Sequence, residues 1–211
     1  MKKHGIRMLL FFTGLWSSAI GVNFILRAQN IGLDPWDVFF YGVSKQVSLS
    51  FGSCVQIIGG ICLLCTILYT KKPPKFGTWL MLLLYGRCID LLVKTTIIPT
   101  STSLYMDYFY LVCGIITVGL GSGMYISAKW GAGPIDGFTQ MISKITRINL
   151  GKVYIYLAIL VALLGSILGG HMTLFTIVYS IAVGPIIQRT YKYCKKIEFL
   201  QRTKWKKEAL Y

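Results

Sequence analysis

Six stretches of the chain are almost purely apolar: residues 8–26, 51–70, 76–98, 108–128, 153–168 and 172–188. A helix crosses a bilayer with about 20 such residues, so each stretch reads as one transmembrane helix. The fifth is the shortest. Gly169-Gly170-His171 parts it from the sixth, so those two predict a tight hairpin. Two other segments follow a different rhythm. After the fourth run, Phe138, Met141, Ile142 and Ile145 fall on one helical face. Asp136, Gln140, Ser143, Lys144 and Arg147 fall on the other. After the first run, Phe39, Phe40, Val43 and Val47 oppose Asp37, Ser44 and Lys45. Each segment predicts a short amphipathic helix.

These two segments are copies of one another. Gly32-Leu33-Asp34-Pro35-Trp36-Asp37-Val38-Phe39 aligns with Gly131-Ala132-Gly133-Pro134-Ile135-Asp136-Gly137-Phe138 at an offset of 99. Without gaps, 7 of the 21 positions from Gly32 to Gly52 are identical, including Ser44-Lys45 over Ser143-Lys144 and Gly52 over Gly151. Chance would supply roughly one or two. Near the end of each half, Gly86 falls opposite Gly184 with one deletion, which also sets Asp90 opposite Gln188. Each half therefore reads as span, GxxPxD segment, span, span. Three spans per half is an odd number, so the second half enters the membrane from the opposite side. The expected fold is an all-α membrane bundle of six transmembrane helices in two inverted-topology repeats. The chain forms a single domain, 1–211, with repeats at 5–98 and 105–190 and a basic tail at 191–211.

The positions of the basic residues orient this arrangement. With the N-terminus inside, 18 Lys and Arg fall in cytoplasmic segments and three, Arg27, Lys45 and Lys94, fall outside. That is the asymmetry of a chain with both termini in the cytoplasm. A parallel repeat, in which each GxxPxD segment crosses the bilayer, would put Lys71, Lys72 and Lys75 on the outer side against this rule. The start, through Lys2, Lys3 and Arg7, resembles a signal-peptide leader. The run after it is too long, so it is read as a retained first span.

Composition agrees. Charged residues are 14% of the 211 and hydrophobic residues 55%, with a mean hydropathy of +0.62. That excludes an ordinary soluble enzyme and a disordered chain. The net charge of +15 sits at the borders of apolar runs, so anionic lipid is the expected partner of the basic tail, rather than nucleic acid. Cys62 and Cys65 are spaced as CxxC inside a span without a second pair, and there are two histidines, so no metal or other cofactor is expected. HExxH, GxSxG and P-loop patterns are absent, and no enzymatic activity is expected.

Two groups of residues remain as candidates. In the duplicated segment, Asp34 suits a helix N-cap, Pro35 and Pro134 the first helical position, and Asp37 and Asp136 the first turn. Two readings stay open: an interfacial helix with an ordinary cap, or a re-entrant helix whose N-terminus and aspartate line a solute site. In the third span Arg87, Asp90 and Lys94 share one helix face. They read either as a structural ion pair near the outer end, with Lys94 reaching the interface, or as functional groups facing the bundle interior. Asn23 and Gln56 read as interhelical hydrogen bonds. The GxxxG spacings at Gly119–Gly123 and Gly165–Gly169 read as packing.

The stretches GLDPWDVFFYGVSKQVSLSFG and GAGPIDGFTQMISKITRINLG, each followed by a span, resemble the bacterial YczE/YyaS/YitT group of integral membrane proteins, and most of all its YczE-like branch. Asp34 departs from the glycine usual there. The resemblance implies a multi-pass protein of the bacterial cell membrane and brings no substrate or reaction with it. The leading functional expectation is binding or transport of a small solute at the interface of the two repeats, with Pro35, Asp37, Pro134, Asp136, Arg87 and Asp90 as candidate contacts. The alternatives are a non-transporting accessory protein and a solute-capture subunit of a larger transporter. The sequence does not specify an oligomeric state.

Overall fold

The computed structural model describes the backbone of residues 2–28, 31, 33–131 and 133–208, and within these the side chains of residues 5–196. Gly32 and Ala132 of the duplicated motif lie outside the described residues, as do the side chains of the basic tail beyond Lys196. The described residues form eight helices and no strand: α1 (Lys2–Arg27), α2 (Pro35–Val47), α3 (Phe51–Thr70), α4 (Phe76–Lys94), α5 (Leu104–Ser127), α6 (Pro134–Thr146), α7 (Leu150–Ile167) and α8 (Leu174–Glu208).

Helices α1, α3, α4, α5 and α7 are long and apolar enough to cross a membrane. The expected sixth span, 172–188, is the first part of α8. It does not end at the apolar boundary but runs on as one helix through the basic residues, with Pro185 inside it. Lys192, Lys195 and Lys196 are strong helix formers, so nothing local stops the helix there.

Helices α2 and α6 are the two copies of the duplicated segment. Both have 13 residues, both open on proline, and their N-cap residues share one backbone geometry, φ −57 with ψ 149 at Asp34 and ψ 154 at Gly133. Both end on a left-handed residue, Ser48 and Arg147. At 1.5 Å per residue each is about 20 Å long, short of the roughly 30 Å hydrocarbon core.

The centre of the bundle is the contact of α1 with α5. A Cβ on Gly14 would stand 2.6 Å from the Gly121 carbonyl oxygen, and one on Gly21 the same distance from the Val118 nitrogen. Small residues are what let two backbones approach this closely. Around this pair, α4 packs on α1 and α8 on α5, while α2 packs on α7 and α6 on α3. The GxxxG expectation resolves into two contacts. Gly119 and Gly123 face Ile186 and Thr190 of α8, and Gly165 meets the backbone of Phe39 in α2. Gln56 makes its expected interhelical bond, donating from Nε2 to the Leu83 carbonyl at 2.6 Å. Asn23 differs from expectation: it is fully buried in α1, and no described group pairs with its amide. Leu68, Phe109 and Ile167 project from the outer faces, where lipid would cover them.

The glycine contacts set a graded expectation. Gly121→Leu forces a side chain into α1 backbone and should lower stability by about 1–3 kcal/mol or more. Gly60 has open space around its Cβ position, so Gly60→Ala should be neutral or stabilise by up to about 1 kcal/mol. Melting temperatures in detergent for the two variants check this.

Candidate functional site

A helix N-terminus leaves backbone N–H groups without intrahelical partners. In α2 the sequence answers this within three residues. Asp34 accepts a hydrogen bond from the Trp36 N–H at 3.1 Å, and Pro35 has no N–H to satisfy. Asp37 stands in the first turn, 8% exposed, and no hydrogen bond from a described residue reaches its carboxylate. In α6 glycine replaces the capping aspartate, and Asp136 is held from outside the helix. Tyr154 of α7 donates to its Oδ1 at 2.8 Å, and the Tyr125 hydroxyl of α5 lies 3.5 Å from Oδ2.

These two helix starts open on one cavity of about 810 Å³, to which all eight helices contribute lining residues. Four of the six residues singled out in the sequence are there: Pro35, Asp37, Pro134 and Asp136. Asp34 lines it as well. The remaining polar lining is made of hydroxyls and one amide: Tyr85, Tyr125, Tyr154 and Tyr179, three serines and Gln188. Tyr85 and Ser18 bond each other at 3.1 Å. Among the described residues, no Lys, Arg or His belongs to the lining.

Sequence reasoning missed the tyrosines. The four come from four different helices, α4, α5, α7 and α8, so no local pattern links them. The one available signal was a phenol inside an apolar run, where its O–H needs a partner.

Arg87 and Asp90 are not part of the cavity lining. Arg87 is exposed on α4. Asp90 reaches the N-terminus of α3, where Oδ1 accepts the Gly52 N–H at 2.8 Å and Oδ2 accepts the Ser50 hydroxyl at 2.5 Å. Ser50 is itself the N-cap of α3, accepting from the Ser53 N–H. Asp90 thus extends a cap across two helices, in place of the ion pair with Arg87. Spacing along α4 could not show this, because the partners are 38 and 40 residues away.

Asp90→Ala leaves the Gly52 amide and the Ser50 hydroxyl without their acceptor and should cost about 1–3 kcal/mol. Ser50→Ala added to it should cost less than the two losses summed, since they share one network. Arg87→Gln should fall within about 0.5 kcal/mol of the parent. Thermal melts of these variants check the assignment, and an Arg87→Gln loss equal to that of Asp90→Ala would refute it.

Comparison with known proteins matches this chain to molecules of the same kind. The profile of DUF6198, a family of unknown function, matches residues 5–192. The uncharacterized membrane protein YczE of Bacillus subtilis (strain 168) is 32% identical over 185 residues, covering 87% of this chain and 84% of YczE. The uncharacterized protein YyaS of the same organism is 27% identical over 161 residues, 74% of this chain and 79% of YyaS. The xylose transport system permease protein XylH of Escherichia coli (strain K12) is 27% identical over 162 residues, 59% of this chain and 41% of the permease. No solved structure matches the chain.

Proposed function

The chain belongs to the DUF6198 family of membrane proteins, and from that premise we propose that its central cavity binds a small solute and carries it across the cell membrane. One observation carries the reading. The starts of α2 and α6, duplicated in sequence and drawn from opposite halves, present their aspartates to a single cavity. Secondary transporters built from inverted repeats bind substrate at the repeat interface, at the ends of discontinuous helices. The packing supports such a relation: exchanging α1–α4 with α5–α8 turns the α1–α4 contact into α5–α8 and the α2–α7 contact into α6–α3. The partial likeness to a sugar permease points the same way.

The lining also limits the solute. Three carboxylates and a set of hydroxyls accept hydrogen bonds, and no basic side chain stands among the described lining residues. The solute is therefore rich in hydrogen-bond donors and free of net negative charge, as an amine or a polyol is. In this reading both termini are cytoplasmic, α2 starts near the outer side and α6 near the inner, and the basic tail lies against anionic lipid. The protein performs no covalent chemistry.

Asp37→Asn and Asp136→Asn test the site. A cap tolerates asparagine with a loss of about 1 kcal/mol or less. A carboxylate that holds a solute through a charge-assisted bond contributes about 1.5–3 kcal/mol, so either variant should lose roughly tenfold or more in flux with its melting temperature nearly unchanged. Flux is measured in proteoliposomes holding this chain alone, over a panel of amines, polyols and anions. Full activity in both variants would remove the aspartates from the solute site. Absence of flux, with flux restored by a co-purifying partner, would favour the subunit alternative.

Orientation has its own check. A cysteine replacing Lys72 should resist an impermeant thiol reagent in intact cells and react after permeabilisation. Ready labelling in intact cells would reverse the topology.

A further inference from the structure

We infer that α3 with α4, and α7 with α8, are two alternating gates of the cavity, and that this structure holds the first shut and the second open. The inference rests on the transport reading above, and its evidence is an asymmetry between equivalent residues.

In the first half the gate is closed by direct contact. Gly52 and Gly86 meet backbone to backbone, each glycine's missing Cβ leaving room for the other's carbonyl oxygen. Asp90 fastens the contact by accepting the Gly52 N–H at 2.8 Å and the Ser50 hydroxyl. Gln56 adds its bond to the Leu83 carbonyl.

The duplication assigns a counterpart to each part. Ser50 and Gly52 correspond to Asn149 and Gly151, and Gly86 and Asp90 to Gly184 and Gln188. In the second half no such contact joins the residues of α7 to those of α8. Gly151, Gly184 and Gln188 are exposed and line the cavity. A Cβ on Gly184 would have no atom within 4 Å, and one on Gly151 only the Asn149 amide oxygen at 3.4 Å. Among the described residues no hydrogen bond joins α7 to α8. The Gly151 N–H is held by Asn149 alone, at 2.9 Å.

A bare glycine inside a helix is destabilising relative to alanine. In α3 and α4 the glycines serve a close approach. In α7 and α8 no neighbouring helix occupies the space left by the missing Cβ in this state, and the same approach in a second state accounts for both glycines. Gln188 is suited to the latch, since its amide oxygen can accept the Gly151 N–H as Asp90 accepts that of Gly52. The means of movement stands beside Gly184. Pro185 removes the hydrogen bond that α8 would make back to Ile181, leaving a hinge within the helix. Closing the second gate as the first opens exchanges the access of the cavity from one membrane face to the other.

The test uses full-length protein in liposomes. Asn149→Cys combined with Gln188→Cys, treated with a short bifunctional thiol reagent, should give a cross-link between residues 149 and 188, several-fold above either single variant. Peptide mass spectrometry locates it among the native cysteines. Gly184→Leu should keep the parent melting temperature, because its surroundings are open here. It should also cut that cross-link several-fold in the same cysteine background, because the leucine blocks closure. Gly86→Leu, placed in the shut gate, should lower the melting temperature. A folded double-cysteine protein with no 149–188 cross-link above its singles would overturn the gates. So would Gly184→Leu with an undiminished cross-link. None of these readouts needs a solute, so a cross-link without flux for any solute would uphold the motion and overturn the transport reading instead.

Discussion

A helix that starts within a protein must satisfy its first amides without bulk water, and two helices here start around one cavity. Proline at the first position removes a donor and fixes the backbone, and an acidic group nearby accepts from the next. That is the content of Asp34-Pro35-Trp36-Asp37, and with glycine at the cap it is most of Gly133-Pro134-Ile135-Asp136. The solution brings carboxylates with it. Carboxylates in turn demand donors, space or a ligand, since burying an unpaired polar group is costly. The two helix starts thus place three carboxylates on one cavity, and only some of them find donors.

How much of this could be read from the chain depends on the distance over which each feature is determined. The caps of α2 and α6 are local, and the reading of Asp34, Pro35 and Pro134 agrees with the structure residue by residue. The existence of all eight described helices follows from apolar runs and amphipathic periodicity. The end of the eighth did not follow, because the loss of apolar character at Gln188 marks a change of environment and not a change of backbone. Asp90 was singled out correctly as unusual, yet its partners belong to α3, and the nearer Arg87 was the natural guess. The convergence of four tyrosines on the cavity depends on the packing of α4, α5, α7 and α8, which nothing along the chain encodes locally.

Asn23 and Asp136 show how unevenly polar groups are accommodated in one bundle. Asp136 receives one tyrosine hydroxyl at 2.8 Å and has another at 3.5 Å, both from neighbouring helices. Asn23, fully buried, has no described partner for either amide atom. An amide of this kind is a place for a buried water, which can bridge such groups where the site is roomy enough.

The charge balance of the cavity explains why its two ends are not interchangeable. Each helix N-terminus contributes roughly half a positive charge, so the two together offset about one carboxylate of three. No basic side chain among the described lining residues offsets the others. Within that field the groups are spent differently. Asp34 is engaged by its own helix, and Asp136 by Tyr154. Asp37 alone of the three has no described hydrogen-bond donor, and Tyr179, which lines the same cavity, also makes no described hydrogen bond. Under the transport proposal, a solute that enters beside α7 and α8 meets a satisfied acidic group at α6 and an unsatisfied one at α2. Of the two, the unsatisfied carboxylate is the one to which a hydrogen-bond donor adds most, since it gains a partner it lacks.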